Sequence, residues 1–257
     1  MTEHDHEWKF SVTRDQAEAF LARIAGQLEL EVRDAAMPVA YTRTTYLDAD
    51  DLPFHRSHDG PVRRRLRVRE YASARGAADP ARLTGVAFLE YKETEARQRV
   101  KLRVPVDLQE SANLLRGGRP SASVAARLGA LSATIATQLV DGTFSPRVTT
   151  WYRRISFCGE SVRVTIDEDV RFALPPAPGV AGDPAEPPWS IGVLPYRLLE
   201  LKPMRDLPDW LAQAVDGLTE AAHLSKYHLG MQALTAPAQT RATQPLMIPS
   251  ELRRGRS

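Results

Sequence analysis

Cysteine is nearly missing from this sequence. Cys158 is the single one in 257 residues, so no intrachain disulfide forms and a zinc site built on cysteines is excluded. No uninterrupted apolar run approaches the ~20 residues that a membrane-spanning helix needs. The opening residues, Met1-Thr2-Glu3-His4-Asp5-His6, are polar and acidic, unlike a signal or transit peptide. A global field is missing too: 34 basic side chains against 32 acidic ones leave a net charge of +2, too little to recruit DNA or an anionic membrane on bulk charge. These absences predict a soluble, cytoplasmic protein whose specificity lies in where its charges sit. No repeat of 20–50 residues divides the chain.

Three local patterns also fall away. Gly117-Gly118 is not followed by the Gly-Lys-Ser/Thr of a P-loop. His55-x-x-His58 with Asp59 sits in turn chemistry without a third ligand and reads as surface histidines. Arg63-Arg64-Arg65 runs into Leu66 and Val68 at alternating positions, which marks a strand and not a basic arm for nucleic acid.

Hydrophobic periodicity predicts strands at 7–12, 41–48, 62–71, 86–93, 97–106, 147–157, 161–172 and 194–202. It predicts helices at 14–30, across most of 112–140 with a break at Gly117-Gly118 and Pro120, and at 207–234. Cys158-Gly159-Glu160 reads as a hairpin turn. Residues 173–192 hold six prolines and read as an irregular insertion, and the segment from 235 to 257 as a disordered tail. The expected organisation is one α+β domain over residues 1–234.

Sorting each strand by parity separates an apolar from a charged face. Trp8, Phe10 and Val12 oppose Glu7, Lys9 and Ser11; Leu66 and Val68 oppose Arg65, Arg67 and Arg69. Glu90 and Lys92 share a face, as do Arg97, Arg99, Lys101 and Arg103. Trp151, Ile155 and Phe157 leave Tyr152 and Arg154 on the other side, with Arg153 on the apolar one. Arg163, Thr165, Asp167 and Asp169 oppose Val162, Val164 and Ile166; Glu200 and Lys202 flank Leu201. Arginine is the side chain suited to planar, bidentate recognition of phosphate oxygens. The spaced acids Glu7, Glu90 and Glu200 suit a hard divalent cation. If the strands close into an antiparallel barrel flanked by helices, the charged face becomes the lumen. Such a lumen repels itself when empty, and a bound polyanion relieves it.

The stretches Thr45-Tyr-Leu-Asp48, Leu66-Arg-Val-Arg-Glu-Tyr71, Phe88-Leu-Glu-Tyr-Lys92, Tyr152-Arg-Arg-Ile-Ser-Phe157, Val162-Arg-Val-Thr-Ile-Asp167, Leu198-Leu-Glu-Leu-Lys202 and Ser225-Lys-Tyr227 together resemble one family. It is the VTC domain, the polyphosphate polymerase module of the vacuolar transporter chaperone complex, in the superfamily of triphosphate tunnel metalloenzymes with the CYTH proteins and RNA triphosphatases. The resemblance implies that Lys9, Arg67, Arg69, Arg154 and Arg163 act with Glu200 in catalysis. It implies that Tyr71, Lys92, Lys101, Lys202 and Lys226 bind substrate. Glu200 becomes the principal ligand of Mn²⁺ or Mg²⁺, assisted by Glu90 and Glu7. The implied activity is phosphoryl transfer from ATP or another triphosphate to inorganic polyphosphate. Hydrolysis in the same tunnel and non-catalytic polyphosphate binding remain the alternatives. Where tunnel enzymes open with Glu-x-Glu-x-Lys, this chain has Asp5-His6-Glu7-Trp8-Lys9, a departure that suits the VTC branch. The inositol-polyphosphate-sensing domain and membrane portion of the eukaryotic subunit have no counterpart in the sequence, so coupling to a membrane implies a separate partner.

Overall fold

The computed structural model describes residues 7–96, 98–129, 132–175, 185–187, 189–204 and 206–236. In chain order these form β1 (Trp8–Val12), α1 (Arg14–Ile24), β2 (Glu29–Leu30), β3 (Val39–Asp48), α2 (Pro53–Arg56), β4 (Val62–Ala74), β5 (Arg82–Glu95) and β6 (Gln98–Val106). Three helices follow, α3 (Leu108–Leu115), α4 (Ala122–Gly129) and α5 (Ala133–Val140). The chain then forms β7 (Ser145–Cys158), β8 (Val162–Ala173), β9 (Gly192–Val193), β10 (Arg197–Pro203), α6 (Asp209–Ala214), β11 (Thr219–Glu220) and α7 (Lys226–Thr235). Half of the proline-rich insertion and nearly all of the predicted tail, from 237 on, lie outside the described residues, as do Asp5 and Arg97.

All pairings are antiparallel, and the strands make one curved sheet in the order β11-β1-β10-β8-β7-β3-β4-β5-β6, with β2 on β7 and β9 on β8. The fold is therefore α+β, as the pattern predicts. The expected barrel closure needs correction: among the described residues no backbone pairing joins β6 to β1 or β11. Side chains cross that seam instead, because Glu7 pairs with Lys92 of β5 at 3.6 Å and Arg99 of β6 at 3.5 Å.

Helices cover the outside. Thr13 and Gln16 cap α1 reciprocally, which fixes its start. Its Phe20 and Ile24 pack with Leu211 of α6 over Phe10, Val164, Ile166, Leu199 and Leu201. On the other flank, Leu114, Leu128 and Ile135 of α3, α4 and α5 lie in one core with Leu66, Val68, Leu89 and Leu102. Each such side chain contributes about 1.5–3 kcal/mol by leaving water. The apolar parity thus faces outward under helices, and the charged parity is left to line the concavity.

Several predicted boundaries shift. The helix expected to reach residue 30 stops at Ile24; Gly26 takes φ +80°, and β2 then pairs with Phe157 and Cys158. The single helix expected over 207–234 is two helices with β11 between them. Gly217 turns the chain with φ +76°, and Ser225 restarts the helix by accepting the amide of His228. α7 closes one end of the concavity: Gly230 lies so near β7 and β8 that a Cβ there would come 2.9 Å from Phe172 and 3.0 Å from Val148. The hairpin at Cys158-Gly159-Glu160 forms as predicted.

The histidines also need correction. His228 supplies the third partner that the local sequence lacks, its ring stacking 4.0 Å from His58 and 4.8 Å from His55. Burial, with His228 beside it, lowers the His58 pKa to about 4. No helix among the described residues is long and apolar enough to cross a membrane.

Candidate functional site: a cationic groove held by four carboxylates

Directly opposed residues of an antiparallel pair share a face, so the register assembles the groove strand by strand. Lys9 opposes Glu200, which opposes Thr165. Arg154 opposes Asp167. Across β3 and β4, Thr44 opposes Arg69 and Tyr46 opposes Arg67. Arg67 then opposes Glu90, which opposes Arg103, while Arg65, Lys92 and Lys101 form the neighbouring row.

Three nests result. In the first, Glu90 is 1% exposed and takes Arg67 at 2.8 Å, Arg103 at 3.2 Å and Arg69 at 3.6 Å. Burial alone would raise its pKa, but Arg67 and Arg69 outweigh that and hold it at about 2. Arg103 also donates to the Tyr71 hydroxyl at 2.9 Å and lies 3.6 Å over the Phe88 ring. The second nest centres on Glu7, within 3.3–3.8 Å of Lys202, Arg99, Lys92 and Lys9. Against burial and the nearby Glu200, those lysines bring Glu7 to about 2. Lys92 shows the reverse: burial, only partly offset by Glu7, lowers its pKa to about 7.

The third nest holds the most deeply buried charges. Asp167 is fully buried; it accepts hydrogen bonds from two Arg154 nitrogens, Nε at 2.6 Å and Nη2 at 2.7 Å, and pairs with the Lys226 ammonium at 2.7 Å. Glu200 sits 3.5 Å from Lys226, 3.7 Å from Lys202 and 3.9 Å from Arg154. Lys226 enters from the first turn of α7 with its ammonium 4.9 Å from the Tyr152 ring centre. Burial would raise the Glu200 pKa, yet Lys226 and Lys202 carry it well below the usual range.

The sequence-derived residues do not all converge. Lys9, Lys92, Lys202 and Glu7 meet, as do Arg154, Lys226 and Glu200. Arg67, Arg69, Tyr71 and Glu90 form the separate first nest, and Lys101 faces Glu90, Arg67 and Arg69. Arg163 lies toward the rim, pairing with Glu31 at 2.8 Å, with its Nε buried and unpartnered. Among the described residues the ion pairs of Glu90 are with Arg67, Arg69 and Arg103, whereas Glu7 and Glu200 share Lys202. Two residues went unassigned although their parity was read: Asp167, which anchors the third nest, and Arg65. Arg65 has no carboxylate within ion-pair distance among the described residues, and burial lowers its pKa. Asp169 leaves the charged face altogether. Its φ of +51° marks a kink in β8, and its carboxylate pairs with Arg171 on the outside.

Eleven cations thus face four carboxylates along the groove. The buried hydroxyls of Thr44 and Thr165 form no hydrogen bond, nor does the Nε of Arg69, which reaches Glu90 only at ion-pair distance. Unmet donors beside excess positive charge are what a multiply charged oxyanion satisfies. For a metal, no three His, Cys, Asp or Glu side chains converge among the described residues. Glu200 offers carboxylate oxygens with the unbonded Thr165 hydroxyl opposite it in register, hard oxygen donors of the kind that Mg²⁺ or Mn²⁺ takes through one or two carboxylates together with substrate phosphates. The site fits such an ion and offers no closed protein cage.

Fold and groove define a class: an open antiparallel tunnel whose interior is built to hold a polyanion. The VTC domain family model matches residues 4–235, and the chain belongs to that family. No curated protein matches its sequence. Among solved structures, a candidate adenylyl cyclase from Hippeastrum with a dominant triphosphatase activity is similar, at 12% identity and TM-score 0.50, over 88% of this chain and 94% of that one. The PH1819 protein of Pyrococcus horikoshii OT3 gives 14%, 0.46, 88% and 97%. A candidate adenylate cyclase from Bacillus halodurans gives 14%, 0.45, 79% and 82%. At these identities the likeness concerns the fold alone.

Proposed function

We propose that the protein is a polyphosphate polymerase, transferring the terminal phosphoryl group of a nucleoside triphosphate such as ATP to a growing inorganic polyphosphate chain. The observation that carries this reading is the excess of cations in the groove, extended along its strands. From Arg65 to Arg69 alone the row runs about 13 Å, at roughly 3.3 Å per residue, room for a chain as well as a single phosphate. The terminal oxygen of the chain attacks the γ-phosphorus. The bond from that phosphorus to the β–γ bridging oxygen breaks, and the nucleoside diphosphate leaves with the electron pair.

In this reading Arg154, Lys226, Lys9 and Arg163 orient the triphosphate, while Arg67, Arg69, Lys92 and Lys101 carry the polymer and Lys202 and Tyr71 flank them. Such positioning is most of what phosphoryl transfer asks of a protein. Glu200, beside Asp167 and Glu7, would hold Mn²⁺ or Mg²⁺, which when bound offsets charge on the leaving diphosphate. The partners are then the triphosphate and polyphosphate of the cytoplasm, with no nucleic acid and any membrane coupling supplied by another protein.

The test is incubation with ATP and Mn²⁺ or Mg²⁺, with and without a short polyphosphate primer, the products resolved on a gel and orthophosphate assayed in parallel. A metal-dependent ladder lost in Glu200→Gln supports the polymerase. Orthophosphate without a ladder replaces it with a triphosphatase. Neither product leaves a polyphosphate-binding module. A Glu200→Gln protein as active as the wild type overturns the metal assignment.

A further inference from the structure

A second cavity, of about 450 Å³, opens beside the groove between the 31–38 loop and the strands β3, β4, β5 and β7. Its chemistry is unlike the groove's. Met37, Ala72, Val86 and Ile155 give it apolar walls. Val86 is 47% exposed there, as Val32 is at 43% and Leu30 at 56%, three of the large apolar side chains that the fold leaves wet. Two groove residues, Arg154 and Tyr71, line both spaces. Arg33 reaches over the Tyr71 ring at 4.8 Å from its centre, so the junction has a flat aromatic surface with cations on it.

We infer that this cavity takes the nucleoside of the triphosphate, the base against the apolar walls and the phosphates passing Arg154 into the groove. The inference rests on the phosphate-binding reading of the groove and adds to it a choice between substrates. The volume lies within the ~300–1,000 Å³ of small-molecule sites, which are lined mostly by apolar groups with a few polar ones setting orientation. An apolar cavity that runs into a cationic groove matches a ligand with a flat, weakly polar head and a polyanionic tail. Inorganic triphosphate has the tail only and gains nothing from this space, so the cavity selects nucleotide over inorganic substrate.

The experiment compares ATP with inorganic tripolyphosphate by calorimetric titration, in the wild type and in two variants that fill the cavity without touching the groove, Met37→Trp and Val86→Trp. The expected result is an ATP affinity at least tenfold weaker in each variant, with the tripolyphosphate affinity within twofold of the wild type. Retained tripolyphosphate binding also reports that the variants fold. ATP affinity unchanged in both variants overturns the inference, as does an equal loss for the two ligands. If the wild type binds neither ligand, the reading of the groove itself fails, and that outcome is separate from these.

Discussion

Replacing Asp167 by asparagine removes one negative charge from the most buried nest while keeping its shape. Asp167 accepts two hydrogen bonds from Arg154 and forms an ion pair with Lys226, and an amide keeps one acceptor oxygen but turns an NH₂ toward a donor. An opposed charge pair at 4 Å is worth about 4 kcal/mol at an effective dielectric of 20, and losing one partner of a buried pair costs about 3–5 kcal/mol net. Glu200, the other carboxylate within reach of both cations, already serves Lys202. At about 2–4 °C per kcal/mol for a chain of this size, the melting temperature should fall by on the order of 10 °C. The same change frees both cations for phosphate. Tripolyphosphate should bind the variant about tenfold more tightly, since one further charge-assisted hydrogen bond is worth about 1.5–3 kcal/mol. At a ligand concentration a hundredfold above Kd the wild type gains about 2.7 kcal/mol, and the variant about 1.4 kcal/mol more. Differential scanning fluorimetry over a tripolyphosphate series measures both effects. A variant that melts with the wild type, or that binds tripolyphosphate more weakly, refutes the idea that this carboxylate is an internal counterion competing with the ligand.

Arg65→Ala should act in the opposite sense. With no carboxylate to abandon, it leaves the melting temperature unchanged or raised, yet weakens tripolyphosphate binding about 10–100-fold in calorimetry. Lys92, with its pKa lowered to about 7 by burial, should take up a proton when a polyanion binds between pH 7 and 10. Titration at pH 8 in buffers of different ionisation enthalpy should show that uptake in the wild type and not in Lys92→Met. The histidine stack predicts an acid-sensitive fold. His58 titrates at about 4 when folded against an ordinary 6.5, so the unfolded chain takes the proton first. The contribution, up to ~3 kcal/mol, is complete above pH 6.5 and lost as pH falls toward 4; His58→Gln should flatten denaturation midpoints across that window. Gly230→Ala should cost about 1–3 kcal/mol by overpacking against Phe172 and Val148.

How much of this was legible in the sequence depended on the range of the interaction that fixes each feature. Strand parity is local, and it sorted Glu7, Lys9, Arg65, Arg67, Arg69, Glu90, Lys92, Arg154, Thr165, Asp167 and Glu200 onto one face without a coordinate. Where a single backbone angle breaks the period, as the +51° φ of Asp169 does, the same logic misplaced a side chain, because an aspartate carries no compulsory signal for that conformation. The 207–234 segment failed similarly: its apolar spacing suits a helix, but a glycine at +76° and pairing of Thr219–Glu220 with β1 interrupt it. Contacts between distant segments were out of reach. His228 joins His55 and His58 across some 170 positions, and nothing near the two earlier histidines announces it. The grouping of acids was equally hidden, since parity gives a face and not a distance: Glu90 and Glu200 share the face but answer to different cations.

That separation bears on why the groove holds acids at all. A concavity lined by eleven cations alone would repel itself and resist folding; one with equal numbers of acids would have no charge left for a ligand. Four carboxylates, each shared among two to four cations, hold the rows in place and leave several positive charges over. The acids then set ligand affinity by competition, because a phosphate oxygen that reaches a paired cation must displace or share its carboxylate. Arg65, which has no such partner, is the first place a phosphate meets no competition, and it lies two residues along β4 from Arg67 and opposite Lys92. Binding should therefore begin along that row and tighten as Glu7 and Glu90 yield their cations, so that the step most sensitive to salt is the entry of the chain and not its grip in the Asp167 nest.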